Sequence, residues 1–194
     1  MKPSSLPPSY FDRIYAADPD PWSFASSEYE RSKYAATLDA LPRAAYERAF
    51  EIGCSIGILT EQLAARCRHL LAVDVSQAAL DQARDRCAAL LQVELRLMEV
   101  PNELPSGEFD LILVSEVGYY WVLADLRRAL DWMCGALRSG GDLVLVHWTP
   151  VVSDYPLAGD DVHELAHERA VAHGLRHVAG QRYPQYRIDV FEAD

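Results

Sequence analysis

Between residues 47 and 149, short apolar runs alternate with stretches whose apolar residues recur about every 3.6 positions, and this alternation restricts the fold more than any other feature. It is the pattern of parallel βαβ units, in which buried strands are covered by the helices that connect them. ERAFEI (47–52), HLLAVDV (69–75), VELRLM (93–98), FDLILVS (109–115) and DLVLVHW (142–148) read as five strands. Ile56, Leu59, Leu63 and Cys67 fall on one helical face, and Ser76 is a suitable N-cap for a helix striped by Leu80, Ala83, Cys87 and Leu90. Leu123, Leu126, Leu130, Met133 and Leu137 stripe a longer helix, which Gly140 and Gly141 are expected to end. Beyond Pro150 the spacing predicts a helix over 161–173 and a closing strand pair, LRHVAGQR and YRIDVFE.

A chain of 194 residues has room for one such sheet and one ligand cleft, so residues 1–194 are expected to form a single domain. Within it, residues 1–46 differ in being rich in Pro, Tyr and Ser; DPDPW (18–22) is a rigid turn before a short helix near 28–41, and the segment is expected to act as a lid. Residues 47–149 are expected to make the βα core, where any cofactor would bind, and 150–194 the terminal helix and strand pair. With 18 Lys and Arg against 29 Asp and Glu, the net charge of −11 disfavours nucleic acid as a partner and suits an amine. No signal-peptide core and no apolar stretch of about 20 residues is present, so no membrane partner and a cytoplasmic location are expected. Cys54, Cys67, Cys87 and Cys134 lack metal spacing and read as reduced thiols. His163 and His167 share a helical face, but the sequence offers no third ligand nearby, and no metal is expected.

In an open α/β sheet, ligands bind beyond the C-terminal ends of the strands, where the strand order reverses. The loop after the first strand is EIGCSIG, from Glu51 to Gly57. A dinucleotide fingerprint GxGxxG beginning at Gly53 would need glycines where Ser55 and Ile58 stand, which argues against a nicotinamide cofactor. The segment instead resembles the first motif of class I S-adenosylmethionine-dependent methyltransferases, E/D-x-G-x-G-x-G, with Ser55 in place of the central glycine. That resemblance implies a Rossmann-like, doubly wound, mostly parallel sheet of seven strands with the last antiparallel, and S-adenosylmethionine as cofactor with S-adenosylhomocysteine as product.

The same resemblance places Gly53, Cys54, Ser55 and Gly57 against the cofactor, and Asp74, which follows Gly57 by 74 − 57 = 17 residues, at its ribose hydroxyls. Met98, Glu99 and Val100 should flank adenine, with Glu99 accepting from its amino group and Met98 or Val75 packing on the ring. FDLILVSEV is similar to the fourth strand of the class, so Ser115 and Glu116 should emerge beside the transferable methyl. Over nearly the whole chain, YFDRIYAADPDPW, SEYERSKY, EIGCSIG, SEVGYYW, GGDLVLVHW and GDDVHE look like the nodulation protein S family. Its rhizobial members N-methylate the deacetylated amino sugar at the end of a chitooligosaccharide, which implies a small-molecule amine or amino-sugar acceptor. O-methylation, another small metabolite, or cofactor binding without catalysis remain alternatives, and the oligomeric state is open.

Methyl transfer is an in-line displacement that needs alignment, exclusion of water and, for an amine, loss of a proton before attack. Glu116, His147 and His163 are the candidates to take that proton. Glu116 can equally cap a helix, and His147 can face either crevice or core. Of Tyr119, Tyr120 and Trp121, one or two must be core, while Tyr120 is a candidate to face the reacting cation. Trp22 is placed to close the lid, and Arg31 or Lys33 to hold the cofactor's carboxylate.

Overall fold

A computed structural model describes residues 4–194. Its elements run in chain order α1 (Pro8–Ala17), α2 (Glu28–Asp39), β1 (Ala49–Ile52), α3 (Ile58–Leu63), β2 (Leu70–Asp74), α4 (Gln77–Cys87), β3 (Val93–Leu97), β4 (Phe109–Ser115), α5 (Leu123–Ala136), β5 (Leu137–Trp148), α6 (Gly159–Ala172), β6 (Leu175–Arg182) and β7 (Tyr186–Ala193). One seven-stranded sheet has the order β3-β2-β1-β4-β5-β7-β6. The first five strands are mutually parallel, and β7 runs antiparallel to both β5 and β6. Strand order reverses between β1 and β4, where Ile52 pairs with Val114, so the loops after these strands open the crevice side by side.

β1 and β4 are buried throughout and β5 from Gly141 to His147, as fully covered parallel strands must be, with Phe50, Ile52, Ile112, Leu143 and Leu145 packed on one face and Ala49, Leu111, Leu113, Val144 and Val146 on the other. Ser76 accepts from the Ala79 N–H as the N-cap of α4, as its sequence position suggests. No helix is long and apolar enough to cross a membrane among the described residues.

Cys67 and Leu90, expected on helical stripes, lie just beyond α3 and α4, and two further elements depart more from the sequence reading. Helix α1 lies within the Pro-rich opening segment: Pro8 occupies its first turn, where the missing N–H is harmless and the fixed φ is helical, so the composition concealed a helix. The stripe ending at Leu137 also overruns its helix. Leu137 is already extended (φ −77°, ψ 134°) and pairs with Phe109, after which the register jumps to Leu111 opposite Asp142. Gly140 (φ +68°) and Gly141 therefore sit in an irregular stretch of β5 rather than at a helix end.

Candidate active site

At the reversal point, a cavity of about 430 Å³ is bounded below by the ends of β1, β2 and β4 and above by α1 and α2. Its size is that of a small-molecule site, and its walls are mainly aromatic and aliphatic. The floor is the EIGCSIG loop, which turns through three left-handed residues, Gly53 (φ +83°), Ser55 (φ +50°) and Gly57 (φ +80°). A β-carbon on Gly53 would lie 2.0 Å from Val117 Cγ2, so the approach of this loop to the end of β4 requires glycine. One on Gly57 would lie 3.0 Å from Ala83 Cα and Cβ, which makes Gly57 the contact between the start of α3 and α4. Ser55 tolerates its strained conformation with two anchors. Its N–H donates to Asp74 Oδ2 (2.9 Å), and its hydroxyl bonds the Tyr15 hydroxyl of α1. The departure from glycine at this position thus coincides with a tie between the loop and α1.

Asp74 ends β2 in the cavity wall. Each of its oxygens accepts one backbone N–H, Oδ2 from Ser55 and Oδ1 from Ser76 (2.9 Å), so each retains a lone pair for a hydroxyl donor. Burial raises its pKa, while these amides lower it in opposition. Met98 and Val100 are buried beside it, and Val75 and Glu99 also line the cavity. Glu99 accepts from Asn102 Nδ2 (3.0 Å).

On the other side, Glu116 follows β4 with φ +59°. Its Oε1 accepts from Lys33 Nζ (2.6 Å), and its Oε2 from the Tyr119 hydroxyl (2.6 Å) and the Trp148 N–H (2.9 Å). Lys33 also donates to Glu30 Oε1 (3.1 Å), so one ammonium serves two carboxylates and the cluster carries a net negative charge. Burial works against the Lys33 ammonium, but Glu116 and Glu30 outweigh it and hold the pKa above its ordinary value. Phe11, Tyr119, Tyr120 and Tyr155 form the adjoining aromatic wall, Tyr119 stacked on Tyr155 at 5.1 Å and Phe11 edge-on to Tyr120 at 4.9 Å. Burial, reinforced by Glu116 for Tyr119 and by Tyr155 for Tyr120, lifts both phenols well above their usual range, so they act as donors and faces rather than bases.

The structure brings Trp22, Gly53, Ser55, Asp74, Val75, Met98, Glu99, Val100, Ser115, Glu116 and Tyr120 to this one cavity. Five expected positions lie elsewhere; Gly57, expected against a cofactor, packs on Ala83 of α4 instead of lining the cavity. Arg31 points to solvent and pairs with Glu28 one turn away, so of the two basic side chains expected near a cofactor carboxylate only Lys33 reaches the wall. Cys54 is buried against a separate void of about 30 Å³ shared with Glu51, and burial raises its thiol pKa. His147 and His163, expected as proton acceptors, are fully buried behind the wall and absent from the cavity lining. The Gly118 N–H donates to His147 Nε2 (3.1 Å), which leaves the His147 proton on Nδ1, facing His163 Nε2 at 3.2 Å; His163 then donates from Nδ1 to Asp189 Oδ2 (2.7 Å). Burial depresses the pKa of both rings, in keeping with this neutral chain, which fastens the loop carrying Glu116 to β7. The sequence reading missed Glu30, Tyr15 and Tyr155. Only the Glu30–Lys33 spacing gave a local signal.

Beneath the loop, Glu51 is wholly enclosed and its Oε2 has no hydrogen-bond partner. Burial pushes its pKa up to about 7. The stability contributed by its protonated form is complete below the unfolded value of about 4.3 and disappears as pH rises through 7. Relative to Glu51→Gln, the ligand-free parent protein should therefore lose up to roughly 3 kcal/mol between pH 5 and 8. Urea unfolding at several pH values checks this, and parallel pH curves for the two proteins would contradict it.

A family model described as Nodulation protein S (NodS) matches residues 11–185. The chain is 35% identical over 135 residues to nodulation protein S of Rhizobium tropici, covering 69% of this chain and 56% of the relative. It is 34% identical over 129 residues to that of Bradyrhizobium diazoefficiens, covering 66% and 58%. The chain thus spans a little over half the length of these curated relatives. The crystal structure of the N-methyltransferase NodS from Bradyrhizobium japonicum WM9 in complex with S-adenosyl-L-homocysteine matches with a TM-score of 0.84 at 26% identity, covering 95% of this chain and 97% of that one. This likeness and the strand order give the molecule the class I methyltransferase architecture that its sequence resembles.

Proposed function

The chain belongs to the nodulation protein S family, and from that premise we propose that it is an S-adenosylmethionine-dependent methyltransferase acting on the nitrogen of a small amine or amino sugar. The observation that carries this reading is the sharing of one cavity by the Gly53–Asp74 end and the net negative, aromatic Glu116 end. The residues present fit the cofactor. Gly53 leaves no room for a β-carbon, and Asp74 keeps two lone pairs for vicinal hydroxyls. Met98, Val75 and Val100 offer apolar surface for adenine, Glu99 an acceptor for its amino group, and Trp22 and Ser115 further walls.

When bound, S-adenosylmethionine supplies a methyl group activated by a positively charged sulfur. The chain's own residues bind, align and exclude water. Glu30 and Glu116 favour a protonated amine in the cavity, and Lys33 keeps their combined charge to one negative unit. The tyrosine faces favour cations at the same end. Glu116 is the ionisable acceptor beside the aromatic wall, so it is the residue assigned to receive the amine proton before attack, while Tyr119 and the Trp148 N–H hold its carboxylate in place.

Incubation with S-adenosylmethionine and a panel of amines, amino sugars and their oligomers, read by product mass, should give methylation on nitrogen. Methylation confined to hydroxyls would replace this assignment with O-methyl transfer, and binding without turnover on any acceptor would favour a cofactor-binding module. With a competent acceptor, Glu116→Gln should lower kcat/KM about tenfold and leave S-adenosylhomocysteine affinity within about threefold. Unchanged kcat/KM would remove Glu116 from the reaction.

A further inference from the structure

The terminal unit holds a second cluster of functional side chains, outside the cavity and separate from the proposed methyl transfer. The geometry points to a binding site for one divalent metal ion of the zinc class, with His167 Nε2, His177 Nε2 and Asp189 Oδ1 as ligands. These atoms come from α6, β6 and β7 and lie within 4.8 Å of one another. Asp189 Oδ1 is 2.7 Å from His177 Nε2 and 3.5 Å from His167 Nε2. Tetrahedral zinc with bonds of about 2.0–2.1 Å places its ligand atoms roughly 3.3 Å apart, so one spacing already fits and the other opens by about half an ångström.

Three features show that the arrangement is built rather than incidental. First, Asp189 is buried and its two oxygens are divided. Oδ2 holds His163 Nδ1 (2.7 Å) and Arg187 Nε (2.6 Å), which orients the carboxylate and leaves Oδ1 toward the two imidazoles. Second, β6 is bulged between His177 and Ala179: His177 pairs with Phe191 and Ala179 with Val190, so Val178 is the extra residue. In a regular strand His177 and Gly180, three positions apart, would face opposite sides. The bulge puts both on the face of Asp189 and Phe191. Third, Gly180 sits opposite Asp189, and a β-carbon there would lie 2.6 Å from Asp189 Oδ1 and 2.8 Å from His177 Nε2. Its φ is not left-handed, so glycine serves here to make room rather than to turn the chain.

His167 Nε2 accepts from Arg187 Nη2 (3.1 Å), so this nitrogen is unprotonated; metal binding exchanges that donor for the ion while Arg187 keeps its Nε contact with Asp189. His177 moves its proton from Nε2 to Nδ1. Two imidazoles and one carboxylate suit zinc, cobalt or nickel better than magnesium or calcium, and the half-exposed His177 leaves the fourth position to water.

The test is a zinc titration of the chelator-treated protein in competition with a chromophoric chelator, repeated with cobalt for its tetrahedral absorption. One ion per chain is expected, with affinity reduced at least about tenfold in His177→Ala, whose side chain is surface-accessible, and in Gly180→Ala, which removes no ligand. His173→Ala, whose ring meets Asp131 elsewhere, should bind as the parent does. Absence of saturable binding, or equal affinity in parent and His177→Ala, would overturn the assignment.

Discussion

Gly53→Ala is expected to lower the affinity for S-adenosylhomocysteine at least a hundredfold while leaving a folded protein of reduced stability. Two costs act together. The backbone holds φ +83°, a conformation that costs an L side chain about 1–2 kcal/mol. The new methyl would also stand 2.0 Å from Val117 Cγ2 and 3.3 Å from the Ser115 carbonyl oxygen, so the loop must lift from the end of β4. Lifting it pulls the Ser55 N–H from Asp74 and the Ser55 hydroxyl from Tyr15, which disturbs the proposed hydroxyl acceptor and the contact with α1 at once. Gly57→Ala separates the two effects, because its methyl would press on Ala83 behind the cavity and should cost stability with a smaller loss of affinity. Calorimetric titration of both variants checks this; equal affinities in Gly53→Ala and parent would detach the loop from the binding site.

Lys33→Met should destabilise the fold by about 3–5 kcal/mol, the usual cost of leaving a buried charge unpaired, and lower Tm on the order of 10 °C. The Lys33 side chain is 3% exposed and serves Glu30 and Glu116 together. Without it two carboxylates face each other across a closed pocket wall, and the first accommodation is uptake of a proton. The loss should therefore shrink as pH falls toward 5. Arg31→Ala, two positions away, should change stability by less than about 0.5 kcal/mol, since its partnership with Glu28 is solvent-exposed. Thermal unfolding of the pair of variants decides the matter, and similar small losses in both would refute the buried cluster.

The features legible in the sequence were those encoded locally. The β1 loop and Asp74 could be placed because a strand, a glycine turn and an acidic strand end follow one another within one βαβ unit, and the fold then brings them together without further information. Helix α1 escaped because its signal was the proline pair that usually marks a turn, and the β5 boundary because a helical stripe continued into a residue that pairs with Phe109. Histidine roles depended on contacts far apart in the chain. His147 and His163 sit 16 residues apart and meet through a path that includes a strand and a helix. His163 and His167 looked like a metal pair without a partner, whereas the fold sends His163 inward to His147 and turns His167 toward His177 and Asp189. The bulge at Val178 reverses side-chain parity and has no local sequence mark, so the cluster could not be read before the strands were paired.

Calorimetric titration of the unmodified protein with S-adenosylhomocysteine, with NADH titrated in parallel, decides which cofactor the cavity takes. One saturable site per chain is expected for S-adenosylhomocysteine, lost in Gly53→Ala, with no heat of binding from NADH. Binding of NADH with none of S-adenosylhomocysteine would contradict this expectation.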